Sequence, residues 1–520
     1  MKKTENIGAA ALLLGSSILL SRILGYLREM LLAYKFGTGT TTDAFYAAFQ
    51  IPDLLNYFLA GGALSIAFIP LYNKIMAKEG EKAANKLMAN VLGMMGAIVV
   101  AATAVLWWKA EGLVRFQFPK FDDETTALTV QLTRIVLPAQ IFFITGGIVQ
   151  AVLLAHRSFQ AAALAPLIYN GCTILGGWFL YPYFGIEGFA FGTLAGAVLG
   201  PFLMPLLYCR GHIPIRLKFK PTDKKFLLYL GLAAPLMLGQ TLLTVDEWYE
   251  RWFGALLEAG SVAQLSFARK LMLVPIAVIG QAIGAAALPM LSKLYAEGKE
   301  KEMNKALLQT LQTGLALAVL AGAAFFVVAE PAVRLVYQHG KFDAHSATVV
   351  GMLAALLAFA IPAWIIQQIA IRTFYARGDT LRPMIMGTIV CLGVIPVYMT
   401  LSDSFGVSGL ALAGAIAMTV NALATLLYAR HLHGAPLLKP LGQTLGSTIL
   451  VAIPSASLGI CAMRERAQML PLEGWDVKMI ALVDMVAAGA AFALIALPAI
   501  WLFGEEGLRE YLKRLVSKAF

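Results

Sequence analysis

The chain has 520 residues, 59% of them hydrophobic and 14% charged, with a mean hydropathy of +0.74. Soluble domains carry about a quarter of their residues as charges, so a string of soluble domains is excluded. The net charge of +11 calls for no nucleic-acid partner, because the cations collect in connectors between apolar runs, where anionic lipid attracts them.

Backbone groups in lipid are satisfied only by helices or by closed barrels, and the period-two alternation of a barrel is missing. The fold class read from the sequence is therefore an all-α polytopic membrane protein. At about 20 residues per crossing, the apolar runs fall at 8–34, 43–73, 86–108, 128–155, 160–182, 186–209, 225–257, 261–292, 305–329, 346–371, 383–402, 406–429, 440–463 and 478–503, which makes fourteen expected transmembrane helices. The basic start, Met1-Lys2-Lys3, imitates a signal peptide, but the run continues through Arg22 and Arg28 without a clear small-residue cleavage site and reads as a retained span. Connectors on one side hold 26 Lys and Arg, those on the other hold 9. That asymmetry predicts that both termini are cytoplasmic.

Span 1 reads Ser21-Arg22-Ile23-Leu24-Gly25-Tyr26-Leu27-Arg28-Glu29. Arg22 and Glu29 share a stripe two turns long, whereas Arg28 lies about 120° away from Arg22, and Gly25 would permit a bend that turns Arg28 into the same cavity. Two guanidiniums against one carboxylate leave an excess positive charge suited to forked phosphate contacts; a helix-holding Arg–Glu pair is the plainer alternative. Span 2 carries Asp53 after Pro52, then Asn56 and Gly61-Gly62, which suggests a broken helix, as a hinge or as a packing kink.

Internal similarity appears at an offset of about 219–224 residues. Pro70, Leu71, Lys74, Asn85 and Lys86 meet Pro289, Met290, Lys293, Asn304 and Lys305, and Phe184-Gly185-Ile186 meets Phe405-Gly406-Val407. Spans 1–6 and 7–12 are thus expected to form two pseudo-symmetric six-helix lobes of the same orientation, residues 1–220 and 221–435, with spans 13–14 and a C-terminal tail in residues 436–520. Transporters built this way put substrate between their halves and rock one against the other.

Span 7 contains Asp246-Glu247-Trp248-Tyr249-Glu250-Arg251-Trp252. Asp246 with Glu250 and Glu247 with Arg251 are i,i+4 pairs, and three carboxylates against one cation make a candidate proton or cation site. Its aromatics read as an interfacial belt. In span 8, Arg269-Lys270 either pairs with those acids or contacts a polyanion. Arg134, near the end of its span, reads as an interface anchor. An intramembrane cation costs about 2.5–3.5 kcal/mol near a helix centre, so such residues usually face a partner or a wet cavity. The cysteines Cys172, Cys209, Cys391 and Cys461 lack CxxC spacing, the six histidines sit in connectors without metal spacing, and GxxxxGK[ST] is missing. No disulfide framework, metal, cofactor or ATP site is indicated.

Ser21-Arg22-xx-Gly25-xx-Arg28-Glu29, Phe36-Gly37-Thr38-Gly39-xx-Thr42-Asp43-Ala44-Phe45, Ile51-Pro52-Asp53-Leu54-Leu55, Gly62-Ala63 to Pro70, and Gly340-Lys341-Phe342 together resemble the MurJ (MviN) family. These are lipid II flippases of the multidrug/oligosaccharidyl-lipid/polysaccharide exporter superfamily. The resemblance runs from span 1 to about residue 432. It implies a polytopic protein of the bacterial inner membrane that serves peptidoglycan synthesis and hence cell shape. It further implies a central cationic cavity for the pyrophosphate-linked head of undecaprenyl lipid II, and a hydrophobic groove by spans 13–14 for its tail.

Carried over residue by residue, Arg22, Arg28 and Asp43 match positions on which the family depends, and Glu29 replaces the usual Asp. Asn56 stands where members place an arginine. The usual Ala-Asp-Arg-Leu of span 8 reads Ala268-Arg269-Lys270-Leu271. Glu250 stands where a span 7 acid joins a sodium site in some members, but the partner Asn is not found near Pro396 to Tyr398.

The expected substrate-binding residues are Arg22, Arg28, Arg269, Lys270 and Asn56. Gating or coupling falls to Glu29, Asp43, Asp53, Asp246, Glu247, Glu250, Gly61 and Gly62. The coupling source is left open among membrane potential, protons and sodium. Rival readings are a flippase for another polyprenyl-linked oligosaccharide, a multidrug or cation antiporter, and an integral-membrane glycosyltransferase.

Overall fold

The computed structural model describes residues 7–60, 67–211, 213–238, 242–434, 438–469 and 474–503, and all their regular structure is helical. Chain contacts divide the protein into two compact units, Met1–Gln240 and Thr241–Phe520.

In the first unit the helices are α1 (Ile7–Phe36), α2 (Thr40–Ala48), α3 (Gln50–Ala60), α4 (Ile69–Glu79), α5 (Glu81–Trp108), α6 (Ala110–Gln117), α7 (Asp123–Val136), α8 (Ala139–Ala155), α9 (Gln160–Leu175), α10 (Tyr181–Phe184), α11 (Glu187–Ala197), α12 (Met204–Cys209) and α13 (Lys224–Leu238). Short π-helical turns, Gly176–Leu180 and Val198–Leu203, link α9 to α10 and α11 to α12. Helix α1 packs on α9, α2 on α7, and α5 on α4 and α8. Phe68, Tyr72, Met88, Ile148 and Val152 form a buried core that also takes in Phe226 and Tyr229. This burial explains why α13 belongs to the first unit, although the sequence put the start of the second lobe at residue 221.

The second unit holds α14 (Leu242–Gly254), α15 (Ser261–Ala296), α16 (Glu300–Tyr337), α17 (Ala344–Leu357), α18 (Ala360–Ala370), α19 (Arg372–Ala376), α20 (Leu381–Gly393), α21 (Ile395–His433), α22 (Leu438–Met469) and α23 (Val477–Phe503). The expected span 7 is thus divided, α13 lying in one unit and α14 in the other. Helices α22 and α23, read from the sequence as an appendage, pack on each other and on α16, so they form part of the second unit.

Among the described residues, nine helical segments are long and apolar enough to cross a membrane, or ten if α17 and α18–α19, bent by 44°, make one span. One of the nine, Leu381–His433, has 53 residues, about 80 Å of helix against a hydrocarbon core of about 30 Å. Gly406 (φ 57°, ψ −135°) interrupts it, and Gly185 (φ 58°, ψ −129°) does the same between α10 and α11. Only glycine adopts that backbone without strain. The two glycines stand 221 positions apart, as do Asp122 and Asp343, whose carboxylates accept the backbone N–H groups of Thr125 and Ser346, each at 2.8 Å, as N-caps of α7 and α17. The internal repeat is therefore visible in the turns that shape each unit.

Span 2 is broken as its composition predicts, but at Phe49 rather than at Pro52. Pro52 lies in the first turn of α3, where its missing N–H costs no helical hydrogen bond. Gly61 and Gly62 lie outside the described residues.

Candidate functional site

Each unit carries an acid–arginine cluster inside its helices. In the first, α1 runs through Gly25 as one helix, and a methyl group added there would meet nothing within 4 Å. The expected bend is not used. Arg28 is held by its neighbour: Nη2 donates to Glu29 Oε1 at 2.7 Å and Nη1 to Asn170 Oδ1 at 3.4 Å. The Tyr46 hydroxyl donates to Glu29 Oε2 at 2.6 Å, and Asn170 Nδ2 donates to Ser21 Oγ at 3.2 Å and to the Pro166 carbonyl at 3.0 Å. Glu29 is buried, whereas the Arg28 side chain keeps 23% of its surface accessible. Arg22, two turns before Glu29, is half-buried.

Asp43 is buried in the first turn of α2, where the helix dipole favours a carboxylate. Asp53, in the first turn of α3, and Asn56 one turn later are half-buried. Sequence reasoning missed Tyr46 and Asn170. The only signal for Asn170 was an amide inside an apolar run, and Tyr46 offered none.

The cluster in the second unit is closed. Arg269 donates from Nε to Glu250 Oε2 at 2.6 Å and from Nη2 to Asp246 Oδ2 at 2.5 Å, and its Nη2 also bonds Glu250 Oε1. The Tyr398 hydroxyl donates to Asp246 Oδ1. The side chains of Arg269, Asp246 and Glu250 keep 6%, 1% and 4% of their surface. Glu247 pairs with Arg251, and a cavity of about 50 Å³ lies among Glu247, Glu250, Arg251, Ser266, Arg269 and Lys270. Lys270 is half-buried.

Gly414 makes room for this group: a Cβ there would lie 3.3 Å from Asp246 Oδ1 and 3.4 Å from Glu250 Oε1. Tyr249, read as part of an interfacial belt, is buried instead; its hydroxyl donates to the Cys391 carbonyl at 3.0 Å and its ring meets Tyr398 edge-on. Trp252 is exposed. Arg134 stands over the Trp107 ring at 5.0 Å, an arrangement suited to an anchor.

An apolar groove of about 740 Å³ also marks the second unit, walled by α16, α18, α21 and α22 through Val319, Phe326, Pro362, Leu423, Leu445 and Ile449. The thirteenth expected span, α22, forms one side, whereas among the described residues α23 supplies none of the lining.

The family model for lipid II flippase MurJ matches residues 32–479. The chain belongs to the MurJ lipid II flippase family. It is 29% identical over 421 residues to a probable lipid II flippase MurJ of Rhizobium tropici, covering 79% of this chain and 78% of the relative. It is also 29% identical over 440 residues to a lipid II flippase MurJ of Burkholderia cenocepacia, covering 80% and 83%. Among solved structures, the fold is similar to a MurJ in an inward closed conformation, with a TM-score of 0.76, 22% identity and coverage of 94% and 99%. It is also similar to an inward-facing multidrug transporter of the MATE family, with a TM-score of 0.67, 17% identity and coverage of 80% and 95%.

Of the two arrangements open to Arg269 from the sequence, pairing with the acids of α14 is the one present. Its guanidinium fork is taken up by two buried carboxylates and ties α15 to α14. For the same reason Glu250, a candidate cation site, has its cation built in: the charge beside it is the guanidinium of Arg269.

Proposed function

We propose that this chain moves lipid II, the undecaprenyl-pyrophosphate-linked peptidoglycan precursor, from the inner to the outer leaflet of the bacterial inner membrane by alternating access. The observation that carries this reading beyond family membership is Arg28, a guanidinium fixed within a membrane helix by Glu29 and Asn170 yet left about a quarter accessible. With Arg22 on the same helix, the positive charge exceeds that of the one α1 carboxylate, which suits a diphosphate. Asn56, half-buried on α3 of the same unit, offers an amide in this reading, and Lys270 is a half-buried cation of the second unit. The acids Asp43, Asp53 and Glu247 are gating residues in this reading. Arg269, a fixed counter-ion on Asp246 and Glu250, stands where a sodium ion or a proton would have to sit, which favours coupling to membrane potential, and the reading requires no ATP or other cofactor.

The test is complementation in a bacterium depleted of its own lipid II flippase. Wild type should restore growth, whereas Arg22→Ala and Arg28→Ala should not, at equal membrane abundance. Failure of wild type despite verified insertion would pass the assignment to a flippase for another polyprenyl-linked glycan.

The asymmetry of Lys and Arg supports cytoplasmic termini. Cysteines introduced at Asp123 and Asp343 should react with an impermeant thiol reagent in intact cells, and those at Lys220 and Lys299 should not. The reverse pattern inverts the orientation.

A further inference from the structure

At one end of the second unit a cavity of about 430 Å³ opens where α16, α17, α22 and α23 meet, and its polar lining is Glu330, Arg334, Thr348, Arg464, Arg466 and Asp484. Arg334 lies three residues from the end of its helix, Tyr337, about 4.5 Å along the axis, which is headgroup depth for a spanning helix, and Arg466 lines the same chamber from α22. Phe326 belongs to this cavity and to the apolar groove alike, so a polar chamber adjoins an apolar channel across one side chain.

The charges of the chamber are unequally engaged. Arg334 is taken up by Glu330 at 2.6 Å, by Gln338 at 3.0 Å and by Thr348 at 3.2 Å. Arg466 pairs with Asp484, but its Nε is buried without an acceptor. Arg464 is exposed and makes no ion pair or hydrogen bond among the described residues. Three guanidiniums therefore meet two carboxylates, leaving one positive charge and one buried donor unanswered. A phosphodiester carries a single negative charge with several acceptor oxygens, and satisfies both. A pyrophosphate carries more charge than the chamber balances.

We propose that this chamber binds the phosphodiester of an anionic phospholipid, with an acyl chain passing Phe326 into the apolar groove. Neither the transported lipid nor the α1 cluster enters this assignment. Charge-assisted hydrogen bonds from guanidiniums hold a headgroup phosphate, and the groove adds the apolar area that a free phosphate cannot use.

Native mass spectrometry of the delipidated full chain in detergent tests the site, with phosphatidylglycerol and phosphatidylcholine of identical chains as probes. Wild type should retain one phosphatidylglycerol in preference to phosphatidylcholine. Arg464→Gln, an exposed position whose change leaves folding intact, should weaken that retention about fivefold, as expected for one interfacial cation, and Arg464→Lys should keep most of it. Inorganic phosphate should fail to compete at the concentration of the lipid. Equal retention of the two lipids, unchanged retention by Arg464→Gln, or displacement of phosphatidylglycerol by equimolar undecaprenyl diphosphate would each overturn the proposal.

Discussion

Glu29 and Glu250 stand 221 residues apart, at corresponding places in the two repeats, and both are buried beside an arginine. What surrounds them differs. The counterpart of Asp246 in α1 is Gly25, so the first cluster has one carboxylate at its centre and the second has two. The counterpart of Gly414 is Thr193, which is buried with its hydroxyl on the Phe189 carbonyl at 2.9 Å; the bare glycine in the second unit leaves the space that the second carboxylate fills. Arg28 sits next to its acid on the same helix and stays partly accessible, whereas Arg269 comes from a neighbouring helix and is sealed in. The shared acid position thus meets a partly accessible arginine of its own helix in one unit and a sealed arginine from a neighbouring helix in the other. A second carboxylate accompanies the sealed one.

The sharpest way to break this distinction is to remove each arginine. Arg269→Met leaves two buried carboxylates without a cation, a change that costs about 3–5 kcal/mol, and should lower the thermal midpoint and the yield of folded protein in detergent. Arg28→Met leaves Glu29 with the Tyr46 hydroxyl and a partly wet surrounding, so its midpoint should shift several-fold less while transport is lost. Equal shifts in the two variants would show that both arginines are clamps.

A smaller effect belongs to Tyr398→Phe, which deletes one hydroxyl donor to Asp246 and should cost about 1.5–3 kcal/mol, the range for a hydrogen bond to a charged group. Arg269 should stay in place. A neutral outcome would mean that Arg269 alone satisfies Asp246.

The smallest effect concerns a feature the two units share. Hydrogen bonds from Thr125 hold the Asp122 carboxyl below the usual aspartate range, and those from the Ser346 backbone and hydroxyl do the same for Asp343. A lowered native pKa contributes stability above the unfolded value, about 3.9, and that contribution is lost as pH falls through the native value. Thermal midpoints taken from pH 6 to pH 3 should therefore decline, and the double variant Asp122→Asn, Asp343→Asn should decline less steeply. Parallel slopes would show that the caps contribute nothing to acid sensitivity.

Much of this protein follows from the order of its residues. Hydropathy excluded soluble folds and the missing period-two alternation excluded a barrel, which leaves helices as the only way to satisfy backbone groups in lipid. The repeat was legible because turns are written in local chemistry: Gly185 and Gly406 adopt a backbone that other residues resist, and Asp122 and Asp343 cap the helices that follow them. Arg22, Arg28, Glu29 and the acids of α14 stood out as charges in apolar runs, which no local pattern explains away.

Other features had no local signature. Tyr46 and Tyr398 reach their acids, and Asn170 reaches Arg28, from helices 17 to 152 residues away in sequence, and a tyrosine in an apolar run is ordinary until its hydroxyl meets a carboxylate. The pairing of Arg269 with Asp246 and Glu250, the assignment of α13 to the first unit and the wall of α22 along the apolar groove depend on which helix faces which. Composition and periodicity report whether a residue prefers lipid, water or a turn. Whether a buried arginine meets one carboxylate or two is a matter of distances between helices, and only their packing sets those distances.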